Sequence, residues 1–211
     1  MSDESETEDG ELLIADSDDM EIEDLGREKK GLRSAIEWAI VIGVALLVAL
    51  GIRHWVFQPF WIPSGSMEDT LVVGDRVLVN KLSYHLHDIH RGDVVVFEHP
   101  ANWELDDEVK DLIKRVIGLP GDTVKIENCN VFIDGKQLIE PYTDGQCTEP
   151  ASAVVDPDGD GQFVVPEDVV FVMGDNRGGS QDSRVHGFVP EDDIVGRAFV
   201  VIWPIGNWRW L

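Results

Sequence analysis

The sequence predicts a mainly β fold: an antiparallel β-sheet domain preceded by one transmembrane helix. Residues 35–52 are almost purely apolar, as a membrane-spanning helix requires. From residue 76 onward, short β-branched runs alternate with turn signals such as Gly-Asp and Asp-Gly. No long stretch after residue 55 shows the apolar spacing of an amphipathic helix, which leaves strands as the main element.

Residues 35–52 (AIEWAIVIGVALLVALGI) are predicted to form an uncleaved membrane anchor. The run has 18 residues, the short end for a spanning helix, and Glu37 is its only charge. The alternatives are a buried core helix and a cleaved signal peptide. A signal peptide does not normally carry a 34-residue acidic leader, and no small-residue cleavage site follows Ile52. An aromatic stretch typical of a membrane interface follows instead.

The flanking charges predict the orientation of the anchor. Residues 1–34 hold thirteen Asp or Glu residues and are expected to be an acidic, disordered tail. The tail ends in a basic juxtamembrane cluster of four Lys or Arg residues, against Arg53 and Arg76 on the other side. The positive-inside rule therefore places the N-terminus in the cytoplasm and residues 53–211 outside the cytoplasmic membrane.

Length and charge limit the functional classes. A chain of 211 residues is enough for one compact core with appendages. Its formal net charge of −24 argues against nucleic acid as a partner, because binding there needs clustered Lys and Arg.

The β-branched runs predict the positions of the strands. A region rich in Pro, Gly, Asp and Thr, residues 140–161, is expected to be a long loop or a reduced subdomain. The predicted strands are residues 76–79, 93–97, 123–126, 131–133, 169–173 and 198–203.

Cys129 and Cys147 are the two cysteines of the chain. They lack a CxxC spacing and an adjacent His pair, which argues against a zinc site. In a domain outside the cytoplasm they could form a disulfide, or they could be two unpaired small hydrophobic residues. The sequence leaves both possibilities open.

Three stretches carry side chains suited to catalysis: residues 63–71, 112–122 and 172–184. In the first, Ser64 and Ser66 lie in a Ser-Gly-Ser turn, which can present a hydroxyl beside free backbone N–H groups. In the second, Lys114 lies in an otherwise apolar run, where desolvation would lower its pKa and let it accept a proton. An ordinary turn and a snorkelling strand lysine are the plainer alternatives.

These three stretches resemble the boxes of the bacterial type I signal peptidases, the serine–lysine proteases of family S26. They follow an N-terminal anchor in the family's order, as in the single-pass, Gram-positive-like form, and residues 74–81 and 91–97 fit as well. The resemblance spans roughly residues 58–203. It implies a membrane-bound serine endopeptidase that removes signal peptides from exported preproteins, with a reduced second β subdomain.

The resemblance also implies the role of each residue. Ser66 would be the nucleophile and Lys114 the general base, acting through an acyl-enzyme. Ser64 and the Ser66 backbone N–H would hold the oxyanion, and Ser180 would orient the lysine amine. A structural pair, Asp182 with Arg184, would lie behind the site. Asp69 departs from the family, many members of which have proline there, and a local change of turn is expected.

The implied partners follow from that activity. They are signal-peptide-bearing preproteins with small residues at the first and third positions before the cut, membrane lipid and the secretion translocon. No cofactor and no metal are expected. His85, His87 and His90 form a cluster without a complete ligand set. Residues 156–167 have the spacing of an EF-hand loop without its flanking helices, so an acidic surface turn is the plainer reading.

Other functions remain alternatives at this point. A membrane-tethered binding or scaffolding homologue without activity would be expected to lose Ser66 or Lys114, and both are present. A specialised relative, for instance one that matures pilin or conjugation proteins, is not separable from a housekeeping enzyme by sequence.

Overall fold

The computed structural model describes residues 36–51, 56–68, 70–101, 103 and 110–211. The chain divides into two compact units, residues 1–52 and residues 53–211. In the first unit, residues 36–51 form helix α1. Within the described residues, no helix is both long enough and apolar enough to cross a membrane. The first and last residues of the predicted anchor, Ala35 and Ile52, lie outside the described residues. The acidic tail of residues 1–34 lies wholly outside them, so the anchor and the tail both remain predictions.

The second unit is built on two antiparallel sheets, which confirms the prediction of a mainly β fold. The larger sheet has eight strands in the order β1-β2-β11-β3-β4-β9-β10, and β12 pairs with β11. Its strands are β1 (Phe57–Trp61), β2 (Arg76–Asn80), β3 (Val94–Glu98), β4 (Asp111–Gly118), β9 (Val169–Met173), β10 (Val189–Pro190), β11 (Ile194–Trp203) and β12 (Arg209–Trp210).

The smaller sheet has four strands in the order β7-β6-β5-β8. They are β5 (Thr123–Glu127), β6 (Asn130–Ile133), β7 (Lys136–Gln137) and β8 (Gln162–Val164). The link from β7 to β8 contains the 3₁₀ turn Pro141–Thr143, and a disulfide joins Cys129 to Cys147 with their Cα atoms 4.4 Å apart. The disulfide thus answers the question that the sequence leaves open.

Burial explains why β3 is apolar up to its last residue and why β4 is mostly apolar on both sides of Lys114 and Arg115. They lie in the middle of the larger sheet, between β11 and β9, so side chains on both faces are covered. By contrast β2 alternates, with Val77 and Val79 buried in the core and Arg76 exposed. Two single-turn helices, α2 (Ser83–Leu86) and α3 (Ser183–His186), complete the unit. Because β4 lies at the centre of the sheet, most of its side chains are shielded from water.

Candidate active site

Ser66 lies in the turn between β1 and β2. The turn is held by the third of the three stretches suited to catalysis, residues 172–184, called the third motif below. From that motif, Asn176 donates through its amide side chain to the Gly65 carbonyl at 2.9 Å and through its backbone N–H to the Ser66 carbonyl at 3.2 Å. Ser66 itself is 8% exposed. A long-range clamp therefore fixes this serine, whereas an ordinary surface turn would leave it mobile.

Lys114 lies in the middle of β4, with 3% of its surface exposed. Its Nζ is 2.7 Å from Ser66 Oγ and 3.1 Å from the carbonyl oxygen of Ile113. Burial lowers the pKa of Lys114 from 10.5 to about 8, although the nearby carboxylates of Asp182 and Asp175 oppose that shift. About a tenth of the amines are therefore neutral at pH 7, far more than for a solvated lysine, so the amine can take the Ser66 proton.

Ser64 lies beside the nucleophile on the exposed side of the turn. Its Oγ is 3.5 Å from Ser66 Oγ. The hydroxyl can therefore reach an oxygen that develops negative charge on a carbon attacked by Ser66.

Ser180 lies close to the backbone of the turn that carries Ser66, and both lie next to Gly174. A Cβ on Gly174 would collide with both Ser180 Oγ and the Ser66 carbonyl oxygen, so glycine allows this close approach. Ser180 is 9% exposed, and its Oγ has no hydrogen-bond partner among the described residues. The hydrogen bond to the Lys114 amine is therefore not formed here, and that role of Ser180 remains a prediction.

Asp182 and Arg184 form a buried ion pair just beyond Ser180. The Arg184 guanidinium donates to Asp182 through Nε at 2.9 Å and Nη2 at 2.8 Å. The same carboxylate accepts from the Gly174 backbone N–H at 3.0 Å. The pair therefore fixes the third motif where it passes behind Lys114.

Two further buried arginines support the site, and the sequence patterns indicate neither role. Arg115, next to Lys114 in β4, makes a bidentate pair with Asp175 at 2.8 and 2.6 Å. Asp175 also accepts from Thr70 of the nucleophile loop. This pair therefore links the first, second and third motifs behind the dyad.

Arg177 connects the third motif to the link between β7 and β8. Its guanidinium is fully buried and donates to both oxygens of Glu140, at 3.0 and 2.6 Å, and to Thr148 Oγ1 at 2.6 Å. The Tyr142 ring lies 4.1 Å from the Arg115 guanidinium carbon. Cys147 of the disulfide precedes Thr148 directly. The residue pairs are far apart in sequence, which is why no local pattern indicates them.

A cleft of about 850 Å³ opens onto Ser66 and Lys114. Its wall is formed by three segments: residues 58–66, residues 110–114, and Asn176, Gly179 and Gln181 of the third motif. Two of these segments are extended chain, so the cleft can accept a peptide in extended form. The site therefore brings two serine hydroxyls and a buried lysine amine together in a groove suited to a polypeptide.

The histidine cluster of residues 85–90 and the acidic loop of residues 156–167 do not line this cleft. His87 bonds through Nδ1 to the Ser83 carbonyl, and Asp156 accepts from the backbone N–H groups of Gly159 and Gly161. In the described part of the chain, no three His, Cys, Asp or Glu residues are grouped so that they could hold a metal ion. Asp69 lies outside the described residues.

The chain is similar to several known proteins. Residues 35–203 match the family described as signal peptidase, peptidase S26. A signal peptidase I of Leptolyngbya laminosa is 43% identical over 79% of this chain and 78% of its own. Signal peptidase I T of Bacillus subtilis is 37% identical, covering 86% of this chain and 92% of its own, and signal peptidase IB of Staphylococcus aureus is 34% identical, covering 84% and 94%.

The chain is also similar to a protein of known structure. The crystal structure of a signal peptidase I from Enterococcus faecalis matches with a TM-score of 0.42 and 30% identity, covering 53% of this chain and 97% of that chain.

Proposed function

Since the chain belongs to the signal peptidase family, peptidase S26, we propose that Ser66 and Lys114 are the catalytic dyad of this signal-peptide-cleaving serine endopeptidase. The observation that carries the proposal is the 2.7 Å distance between Lys114 Nζ and Ser66 Oγ. The lysine is buried there, and burial lowers its pKa to about 8. A serine needs such a base because its hydroxyl is a weak nucleophile at neutral pH.

The reaction proceeds through an acyl-enzyme. The neutral Lys114 amine takes the Ser66 proton while Oγ attacks the scissile carbonyl carbon, and the tetrahedral oxyanion accepts hydrogen bonds from Ser64 Oγ and the Ser66 backbone N–H. The protonated amine then gives its proton to the leaving amine, which departs with the mature protein. Water, deprotonated by the same lysine, hydrolyses the ester.

The substrate binds as an extended chain in the cleft. The cleft is formed partly by β1 and β4 residues, whose extended backbone suits pairing with another strand. Exported preproteins with small residues at the first and third positions before the cut are the substrates, in agreement with the family resemblance.

The enzyme works at the membrane surface. Residues 35–52 anchor the chain, the N-terminus is cytoplasmic and residues 53–211 lie outside, where preproteins emerge from the translocon. Exposed tryptophans in the second unit support contact with lipid. Trp61, Trp208 and Trp210 are 60%, 56% and 66% exposed, and such rings favour the interface between membrane and water.

Cleavage of a preprotein by the purified full chain in detergent tests the dyad. Ser66→Ala and Lys114→Met should each abolish cleavage above the uncatalysed rate, while Lys125→Met, at an exposed lysine paired with Glu127, should leave it unchanged. Cleavage by either dyad variant would overturn the assignment. Binding of preprotein without any cleavage by the wild type would instead indicate the scaffolding alternative.

A further inference from the structure

Gln181 forms part of the cleft wall beside the proposed dyad. It lies between Ser180 and Asp182, and it is an exposed residue that lines the cleft. The sequence alone indicates no role for it, because glutamine in a loop has no motif of its own. Its position nevertheless makes it one of three third-motif residues, with Asn176 and Gly179, that a bound peptide would meet.

His186 fixes the orientation of the Gln181 amide. The imidazole Nε2 is 3.1 Å from Gln181 Oε1. Because an amide oxygen only accepts, Nε2 must carry the hydrogen and donate it. The Gln181 amide nitrogen then keeps both hydrogens, and it has no acceptor among the described residues. A donor group is thus held in a fixed direction at the surface of the cleft.

His186 is itself held by packing. Its ring is stacked on the Trp103 indole, with centroids 5.1 Å apart and planes 24° from parallel. Trp103 is 3% exposed and packs edge-on against Phe97 of β3 at 5.6 Å. The contact therefore connects the imidazole to the core of the larger sheet. This support makes the Gln181 orientation a property of the fold rather than of a free surface side chain.

We propose that Gln181 Nε2 donates a hydrogen bond to a main-chain carbonyl of the substrate in the cleft, and that His186 is its positioning residue. An NH₂ group can only donate, and an extended peptide presents carbonyl oxygens at regular intervals. Small apolar side chains near the cut offer no acceptor, which leaves the backbone as the partner. The inference rests on the proposed function, because it takes this cleft as the substrate site.

Kinetics of the full chain on a signal-peptide substrate test this donor. Gln181→Ala and Gln181→Glu, neither of which can donate, should each lower kcat/KM about tenfold, as expected for one lost hydrogen bond. Gln162→Ala, at an exposed glutamine of β8, is the matched control and should leave kcat/KM unchanged. Wild-type kcat/KM in both Gln181 variants would overturn the proposal.

Substrates with a single thioamide identify the acceptor, because a thiocarbonyl accepts hydrogen bonds more weakly than a carbonyl. Thioamides are placed one at a time on either side of the cut. At one position, the thioamide should lower kcat/KM of the wild type relative to the ordinary amide substrate. The same thioamide should cause no further loss in Gln181→Ala, because that variant already lacks the hydrogen bond. If every thioamide affects the wild type and Gln181→Ala to the same extent, Gln181 does not bind the backbone.

A double-mutant cycle separates positioning from general stability. His186→Phe keeps a ring against Trp103 but removes the donor to Gln181, and it should lower kcat/KM several-fold. In the Gln181→Ala background it should have no further effect. Additive losses would show that His186 does not act through Gln181. Both single variants keep Ser66 and Lys114. A negative result for Gln181 and His186 therefore does not affect the test of the dyad with Ser66→Ala.

Discussion

Lys114 Nζ and Ser66 Oγ lie 2.7 Å apart, although 48 residues separate them in sequence. The strand that carries the lysine is in the middle of the larger sheet, and the serine turn is clamped by Asn176. The amine is consequently buried at the point where it meets the hydroxyl. Burial determines its protonation, and thus the pH range in which it can act as a base.

The pH dependence of cleavage should follow the lowered pKa of Lys114. The base acts only when neutral, so kcat/KM on an uncharged substrate should rise with pH, reach half its maximum at a pH of about 8, and level off above that. A fully solvated lysine would put the midpoint near 10.5. A flat profile from pH 6 to 10 would exclude Lys114 as the titrating base.

Replacing the buried amine should stabilise the fold. The unfolded chain keeps a lysine pKa of 10.5, so below about pH 8 the folded state loses about 3 kcal/mol by holding the charged amine in a dry site. Lys114→Met should raise the free energy of unfolding by up to that amount at pH 7. The gain should shrink between pH 8 and 10.5, since there the unfolded state binds the extra proton. Denaturant titrations of both proteins at several pH values measure this, and a gain independent of pH would contradict it.

Loss of the Ser64 hydroxyl should slow the chemical step. Ser64→Ala is expected to lower kcat by roughly 10²–10³-fold with little change in KM, because the oxyanion exists only in the transition state and intermediate. Ser64→Thr, which keeps a hydroxyl, is the matched control and should recover part of the rate. A variant that changed KM alone would show that Ser64 binds substrate instead.

Removing one charge from the Arg177 pair should destabilise the site. Glu140→Gln leaves the buried guanidinium without its carboxylate, and loss of one partner of a buried ion pair typically costs about 3–5 kcal/mol. Glu127→Gln, at an exposed pair with Lys125, should change stability by less than about 1 kcal/mol. Thermal unfolding of both variants checks the difference. Equal effects would mean that the Glu140 contact contributes no more than a surface pair.

Protease protection tests the proposed topology. Protease added to intact spheroplasts should digest residues 53–211 and spare the acidic tail of residues 1–34, because only the second unit is expected to lie outside. A tag at each end of the chain reports which part survives. Survival of the C-terminal tag with loss of the N-terminal one would reverse the orientation.

The sequence predicts those strands whose patterns are local. The runs at residues 123–126, 131–133 and 169–173 fall within β5, β6 and β9, because β-branched residues bounded by Gly-Asp or Asp-Gly turns leave little alternative. The strand β1 is missed because its aromatic residues indicate a membrane interface equally well. The strand β4 is missed because Lys114 and Arg115 interrupt its apolar run.

The buried ion pairs around the site are harder to predict from sequence than the proposed dyad. Ser66 and Lys114 stand in stretches that resemble the boxes of the family, and that resemblance singles them out. From the residue pattern alone, an ordinary turn and a snorkelling lysine are the plainer alternatives. Asp175 meets Arg115 across 60 residues of sequence, and Glu140 meets Arg177 across 37. A buried ion pair of this kind has no periodicity and no fixed spacing, since the two partners are joined only by the folded backbone. Gln181 is missed for a different reason, because its significance depends on where the cleft opens.

If residues 53–211 lie outside the membrane as proposed, the Cys129–Cys147 bond forms only after the chain has been exported. Thiols stay reduced in the cytosol, so a newly made chain keeps the loop open until that segment has crossed the membrane. Glu140 and Tyr142 lie in the loop that the bond closes, and Thr148 follows it directly. On the proposed topology, the contacts of Glu140 and Thr148 with Arg177 are therefore completed in the compartment where preproteins emerge.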